Sequence, residues 1–309
     1  MENKIKRKTR LDRRMDKIRA LEESGQLKNK RVNRYFRKFK NNRLALWGVI
    51  VFAVIVVLCT FAPIFTRHDP GEIDVLNKFQ PPSRDHILGT DQIGRDVYSR
   101  ILYGGRISIL VGLGGALGAA IIGASLGCYV VYKSRRLDNI VMRFSEIMMS
   151  FPQIVLVLLL VTVMGQSLNN LLLIFILTGW GGVYRMARSK ILSIREEEYI
   201  QALEAFGLSN FVIVFKHMLP NVLGPIAVNI TLSTAMFVLQ EAALSFLGLG
   251  VPLQIPTWGN ILNVARNVAI LRNNWWVWLP VGLVISVFVL SINFIGDGIR
   301  DSVDPTQQG

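Results

Sequence analysis

Acidic residues, histidine and cysteine are all scarce in this chain, and the short motifs that assemble catalytic or nucleotide-binding sites are missing. There is no H-E-x-x-H, no G-x-S-x-G and no G-x-x-x-x-G-K-[ST], which removes the zinc-protease, serine-hydrolase and P-loop readings. The pair Gly112 and Gly114 lacks a third glycine at the spacing of a dinucleotide fingerprint and has no βαβ context. His68, His86 and His217 are spread over opposite sides of the predicted membrane, so no metal-ligating cluster is expected. Cys59 and Cys128, the two cysteines, both fall in apolar runs and read as small buried hydrophobes, with neither a disulfide nor half a zinc site implied. Any energy the protein uses has to come from a gradient or from another polypeptide.

What the chain has in quantity is apolar length. Of 309 residues 51% are hydrophobic and 18% charged, outside the range of soluble domains. Six segments approach the roughly 20 apolar residues that span a hydrocarbon core, at about 44–65, 106–132, 140–163, 168–187, 222–247 and 277–296. The first is longer than a signal-peptide core and lacks an A-x-A cleavage pattern, so it is expected to stay attached. The net charge of +14 is concentrated before it, 17 Lys and Arg against five acidic residues in residues 1–43. That is the positive-inside signature, not a nucleic-acid surface, and an even number of spans then puts both termini in the cytoplasm. The loops at about 66–105 and 248–276 fall outside; "YKSRRLDN" and the segment between spans four and five fall inside.

Helical periodicity adds detail. In the basic tail, Leu11, Met15, Ile18 and Leu21 share a face, and Val32, Tyr35, Phe36 and Phe39 predict an interfacial helix with its aromatics at the lipid boundary. The second span, "VGLGGALGAAIIGASLG", spaces Gly114/Gly118 and Ala119/Gly123/Gly127 for close helix packing. The fifth carries two opposed polar stripes: Asn229, Ser233, Met236 and Gln240 on one side, Thr231, Thr234, Glu241 and Ser245 on the other. One stripe is expected to line a watery path or a partner and the other to pack inside, without the sequence saying which. Glu146 and Glu241 are intramembrane carboxylates, either functional or neutralised in a helix interface. Pro152 and Pro225 are expected to bend their helices, and Trp275, Trp276 and Trp278 to form an aromatic belt. Asp91 and Arg95 in "GTDQIGRDV" read either as a local pair or as a contact for an external protein.

The stretch "EEYIQALEAFGLSNFVIVFKHMLPN", Glu197 to Asn221, is longer than a helix–helix turn needs. Tyr199, Ala202 or Leu203, and Phe206 predict one short amphipathic helix that Gly207 ends. Phe211, Val214, Phe215, Met218 and Leu219 predict a second, before Pro220 starts the return to the membrane. The result is a hairpin shaped to fit a partner's groove. This stretch resembles the EAA loop of binding-protein-dependent ABC importer permeases: Gly207, Leu219 and Pro220 fit, while Gln201-Ala202-Leu203 departs from E-A-A at its first and third positions. "HILGTDQIGRDVYSRILYGGRISILVGL" from His86, "SFLGLGVPLQIPTWGNIL" from Ser245 and "NFIGDGIRDSVDP" from Asn293 are similar to blocks of the C-type permease of the oligopeptide, dipeptide and nickel group.

The resemblance implies an all-α membrane protein, the six-helix transmembrane permease bundle of a type I ABC importer with a cytoplasmic coupling-helix hairpin. Its parts would be a basic tail at 1–43, a first span at 44–66, an extracytoplasmic loop at 67–105, a permease core at 106–299 containing coupling loop 188–221, and a C-terminal tail at 300–309. It implies a homologous B-type permease, two ATPase subunits that carry the ATP and Mg²⁺, and an extracytoplasmic solute-binding protein, with no cofactor or catalytic group on this chain. Tyr199, Gln201, Ala202, Leu203, Gly207, His217, Leu219 and Pro220 would meet the ATPase; Asn229, Ser233, Thr234, Gln240 and Glu241 are candidates for the translocation path. Short peptides are the favoured solute, with nickel chelates, glutathione and oligosaccharides as alternatives within the same architecture.

Overall fold

The computed structural model describes residues 37–303, which are helical with irregular connections and contain no strand. The expected helix around Leu11–Leu21 and most of the expected interfacial helix lie outside the described residues. Phe39 lies within them, half-buried, and its ring packs against Gly298 near the end of the last helix.

Helix α1, Arg43–Thr60, is capped by the Asn42 side chain and lies on the periphery, with Leu44, Trp47 and Ile50 respectively 61%, 67% and 62% exposed. So bare an apolar surface is stable only in lipid or under a partner. Helix α2, Val97–Lys133, is the long central element and extends well before residue 106, because Asp96 caps it by accepting from the Ser99 amide at 2.7 Å. Helices α3, Arg135–Ser150, and α4, Gln153–Met164, share the third apolar segment. They are followed by α5, Leu168–Arg195, the short α6, Glu198–Ala205, and α7, Leu219–Phe246. Helix α8, Trp258–Leu262, precedes the last long helix, α9, Trp275–Val303.

Among the described residues five helices are long and apolar enough to cross a membrane, and α3 with α4 would make a sixth if the bent pair is one span. That third segment is not the straight span its composition suggests, since the two helices meet at 92°. Pro152 has no amide hydrogen and disfavours a helical residue before it. Phe151 is accordingly extended, with φ −91° and ψ 141°, and the helix breaks there. Bent off the axis, α3 leaves one side open, so Glu146 is 40% exposed and pairs with Arg143 at 2.9 Å instead of being buried. Pro225, by contrast, sits inside α7 without breaking it.

The core forms where α2, α5 and α7 meet. A Cβ on Gly123 would lie 2.5 Å from the Trp180 carbonyl oxygen, and one on Gly127 2.8 Å from Ala187 Cβ. Helices α2 and α5 therefore approach as closely as small residues permit. Further along α2, Phe175 and Phe237 stack at 4.8 Å over Gly115. Cys59 and Cys128 are buried free thiols, as their surroundings predict. Helix α1 is held on α9 through Gly48, which faces the Ser291 carbonyl, and through Asn42 Nδ2 donating to Asp301 Oδ2 at 3.1 Å. That last bond sets the beginning of α1 and the end of α9 at the same end of the bundle.

Candidate functional site

The end of the bundle that holds Asn42 and Asp301 also carries α6. Gly224, early in α7, faces Val303 at the end of α9, and Ile200 of α6 is buried with Tyr132, Tyr184, Ile191, Ile213, Val214, Met218 and Val222. Ile200 is thus the anchor of α6, pointing inward while its neighbours Tyr199 and Gln201 are exposed. The anchor is reinforced by polar contacts. The Tyr132 hydroxyl donates to Glu204 Oε1, Arg195 Nε lies 3.9 Å from the same oxygen, and the Arg195 guanidinium stands 5.4 Å above the Tyr132 ring.

Helix α6 ends where a left-handed residue is needed, a conformation that glycine adopts without steric cost. Gly207 has φ +76°, and its amide donates to the Glu204 carbonyl at 2.9 Å. Beyond it, the expected second arm is not a separate helix. Asn210–Val212 and the wide turn Ile213–Met218 run directly into α7, a continuous helix from Asn210 to Phe246. Pro220 stands in the first turn of Leu219–Phe246, where the return to the membrane is expected to start, within this continuous helix. The wider i→i+5 winding just ahead accommodates a residue without an amide. Asn221 Nδ2 donates to the His217 carbonyl at 2.8 Å.

The expected contact residues divide accordingly. Tyr199, Gln201, Ala202, Gly207 and Pro220 are exposed, Leu203, His217 and Leu219 are half-buried, and Leu203 and Leu219 pack on the core below. Within 197–221 the most exposed large apolar groups are Phe206 at 82% and Phe211 at 62%, with the Phe211 ring 4.5 Å from that of Phe215. Val214 and Met218, expected on the same face as Phe211 and Phe215, are buried.

Beside this end, Asp138 near the start of α3 is buried and fixed to α5. Arg188 Nε donates to Asp138 Oδ1 at 2.9 Å and Nη2 to Oδ2 at 2.8 Å, while the Tyr184 hydroxyl donates to Oδ1 at 2.7 Å. Sequence reading missed this ion pair, which connects residues far apart in the chain.

The two stripes of α7 meet different surroundings. Asn229, Ser233 and Met236 line a cavity of about 370 Å³ together with Met148, Met149, Phe151 and Gln153 from the α3–α4 bend and Thr178 and Gly182 of α5. A second cavity, of about 510 Å³, continues along α7 from Asn229 past Pro225 to Lys190 and Arg300. Gln240 is buried, with its amide nitrogen 3.2 Å from Gln153 Oε1. Thr234 and Glu241 are taken off the cavity wall: both are buried, and Thr234 Oγ1 donates to the Ile230 carbonyl. The Glu241 carboxyl accepts from Ser108 at 2.9 Å and Ser245 at 2.8 Å and also bonds Thr257. Ser108 in turn accepts the Trp258 amide at 3.1 Å, so Glu241 joins α2, α7 and α8.

At the opposite end, "GTDQIGRD" folds on itself. Asp91 accepts from the amides of Ile93 and Arg95 and from Arg95 Nε at 2.8 Å, which realises the local-pair reading. His68 and His86, distant in sequence, stack with ring centroids 4.6 Å apart, and His86 Nδ1 lies 3.0 Å from Asp96 Oδ1. Trp276 packs into this loop against Gly89. Of the three tryptophans, only Trp275, 50% exposed, has the openness expected of a belt residue; Trp276 and Trp278 are half-buried.

Among the described residues, an all-helical bundle with five long apolar helices and one bent pair, a cavity on one flank and an anchored helix projecting from one end is the build of a membrane permease component. The chain belongs to the inner membrane components of binding-protein-dependent ABC transport systems, whose family model matches residues 109–308. The N-terminal transmembrane domain of oligopeptide transport permease C matches residues 32–82, which sets it in the C-type branch. It is 41% identical to the dipeptide transport system permease protein of Alkalihalophilus pseudofirmus over 87% of this chain and 88% of the relative. It is 35% identical to the oligopeptide transport system permease protein of Bacillus subtilis, over 87% of each. The dipeptide permease of Bacillus subtilis is 36% identical over 87% of this chain and 84% of its own length.

Proposed function

We propose that this chain is one of two homologous permease subunits of an ATP-driven importer for di- or oligopeptides, which an extracytoplasmic binding protein delivers. The peptide assignment follows the names of its relatives. The end carrying α6 faces the cytoplasm, because the strongly basic tail enters there and positive charge is retained on that side. The cavity along Asn229, Ser233 and Gln153 is this chain's half of the translocation path, closed by the second permease. Amide and hydroxyl groups among methionines suit a bulky polar solute with varied side chains.

The observation that carries the coupling role is Phe206, 82% exposed at the C-terminal cap of a helix that fully buried Ile200 anchors. Such a helix can take a push on its outer face and transmit it to the continuous helix from Asn210 to Phe246, which runs beside the cavity. ATPase subunits grip the outer face around Tyr199, Gln201, Ala202 and Phe206, hydrolyse the nucleotide and rock the bundle between two openings. Proline cannot adopt the positive φ of +76° found at Gly207. Gly207→Pro therefore abolishes ATP-driven peptide uptake in proteoliposomes of the assembled transporter while leaving membrane insertion intact. Full uptake by that variant refutes the coupling assignment.

A further inference from the structure

We propose that His68, His86 and Asp96 form a binding site for a divalent transition-metal cation that staples the loop after α1 to the first turn of α2. One donor atom from each of the three residues lies within 4.8 Å of the others, a separation close enough for a single ion. Two imidazoles and a carboxylate are a donor set suited to Zn²⁺ and its neighbours, with a further position left for water.

The hydrogen bonds around the cluster prepare it. A carbonyl oxygen only accepts. His68 Nε2, 2.9 Å from the Asp85 carbonyl, therefore carries the hydrogen and leaves the lone pair on Nδ1. His86 Nδ1 and Asp96 Oδ1 are 3.0 Å apart and share one hydrogen. Around a tetrahedral ion with bonds of about 2.0–2.1 Å, neighbouring donors sit about 3.4 Å apart. An ion that takes the place of the shared hydrogen thus finds two ligands already spaced for it, and its binding releases a proton. His68 closes the third position by a rotation of its ring, which a half-buried side chain can make.

A second observation points to a ligand in the same place. His68 and Asp96 line a cavity of about 210 Å³ whose wall includes Ser99, and the Ser99 hydroxyl is fully buried with no hydrogen-bond partner among the described residues. An orphaned buried hydroxyl is costly, and a metal-bound water in the cavity would satisfy it. Asp96 is rigid, since Oδ2 accepts the Ser99 amide while capping α2. Arg67 and Arg84 also border the cavity, but both are exposed, so water screens their repulsion, and Asp85 opposes it. The inference does not depend on the transport reading.

The test uses the full chain purified through a tag without histidine and stripped with chelator. Titration with Co²⁺ should give a visible ligand-field band that saturates at one ion per chain and disappears on adding Zn²⁺. Zn²⁺ should also raise the unfolding temperature of the wild type. His68→Gln, which can still donate to the Asp85 carbonyl, and His86→Ala should each weaken binding at least about tenfold and remove the Zn²⁺-dependent rise. His217→Ala, at the other end of the bundle, should change neither. Absence of the Co²⁺ band in the wild type overturns the assignment whatever the variants do, and so does unaltered affinity in folded His68→Gln protein.

Discussion

Exchanging Asp138 for Asn should loosen the end of the bundle that carries α6, and the structure allows the size of the effect to be worked out. The carboxylate is 6% exposed and its partner Arg188 26% exposed. Three of its hydrogen bonds come from charged Arg188 and one from Tyr184. Charge-assisted bonds contribute about 1.5–3 kcal/mol each in isolation, but they share one desolvation cost, and the quarter-exposed guanidinium is partly screened. Losing one partner of a buried pair costs about 3–5 kcal/mol, which the exposure of Arg188 reduces to roughly 2–3 kcal/mol. Arg188→Gln should cost a similar amount, and the double variant clearly less than the sum, with a coupling of about 1–3 kcal/mol. The assay is a double-mutant cycle on reversible unfolding in mixed detergent micelles. Additive effects of the two substitutions would refute the claim that this pair holds α3 against α5.

Ile200→Ala should cost about 2–5 kcal/mol of local stability by emptying the seat of α6, seen as faster proteolysis between residues 196 and 209 while the rest of the bundle stays protected. Gly127→Val should abolish folded yield, because the added atoms meet Ala187 and the Tyr184 carbonyl; Gly114→Ala should be tolerated, as its nearest neighbour is the flexible end of Leu172; size-exclusion profiles distinguish them. Glu241→Gln should retain uptake and Glu241→Leu should not yield folded protein, since only the amide can still serve the hydroxyls of Ser108 and Ser245. Loss of uptake in well-folded Glu241→Gln would instead make the carboxyl a working group.

Features carried by local pattern were legible in the sequence. The apolar runs, the basic tail, the glycine face of α2 and the turn at Gly207 each depend on residues near one another in the chain. What escaped was set by tertiary context. Pro152 signalled a break, but a 92° bend follows from where α3 finds packing, and this exposes Glu146. The continuous helix through Pro220 needed widened winding at Ile213–Met218, which helical periodicity conceals. The stripes of α7 were visible, yet only the fold could assign Asn229 and Ser233 to the cavity and Thr234 and Glu241 to the interior. Ile200 was overlooked because its exposed neighbours carry the amphipathic signal, and His68 and His86 because only folding brings them together.

The position of Phe206 tests the central claim most directly. Because Cys59 and Cys128 are buried, Phe206→Cys supplies a single accessible thiol in the described chain. A membrane-impermeant maleimide should fail to label it in intact cells, should label it in inside-out vesicles stripped of ATPase subunits, and should be blocked when those subunits are restored. Labelling from the outside of intact cells, or labelling indifferent to the ATPase subunits, contradicts the account.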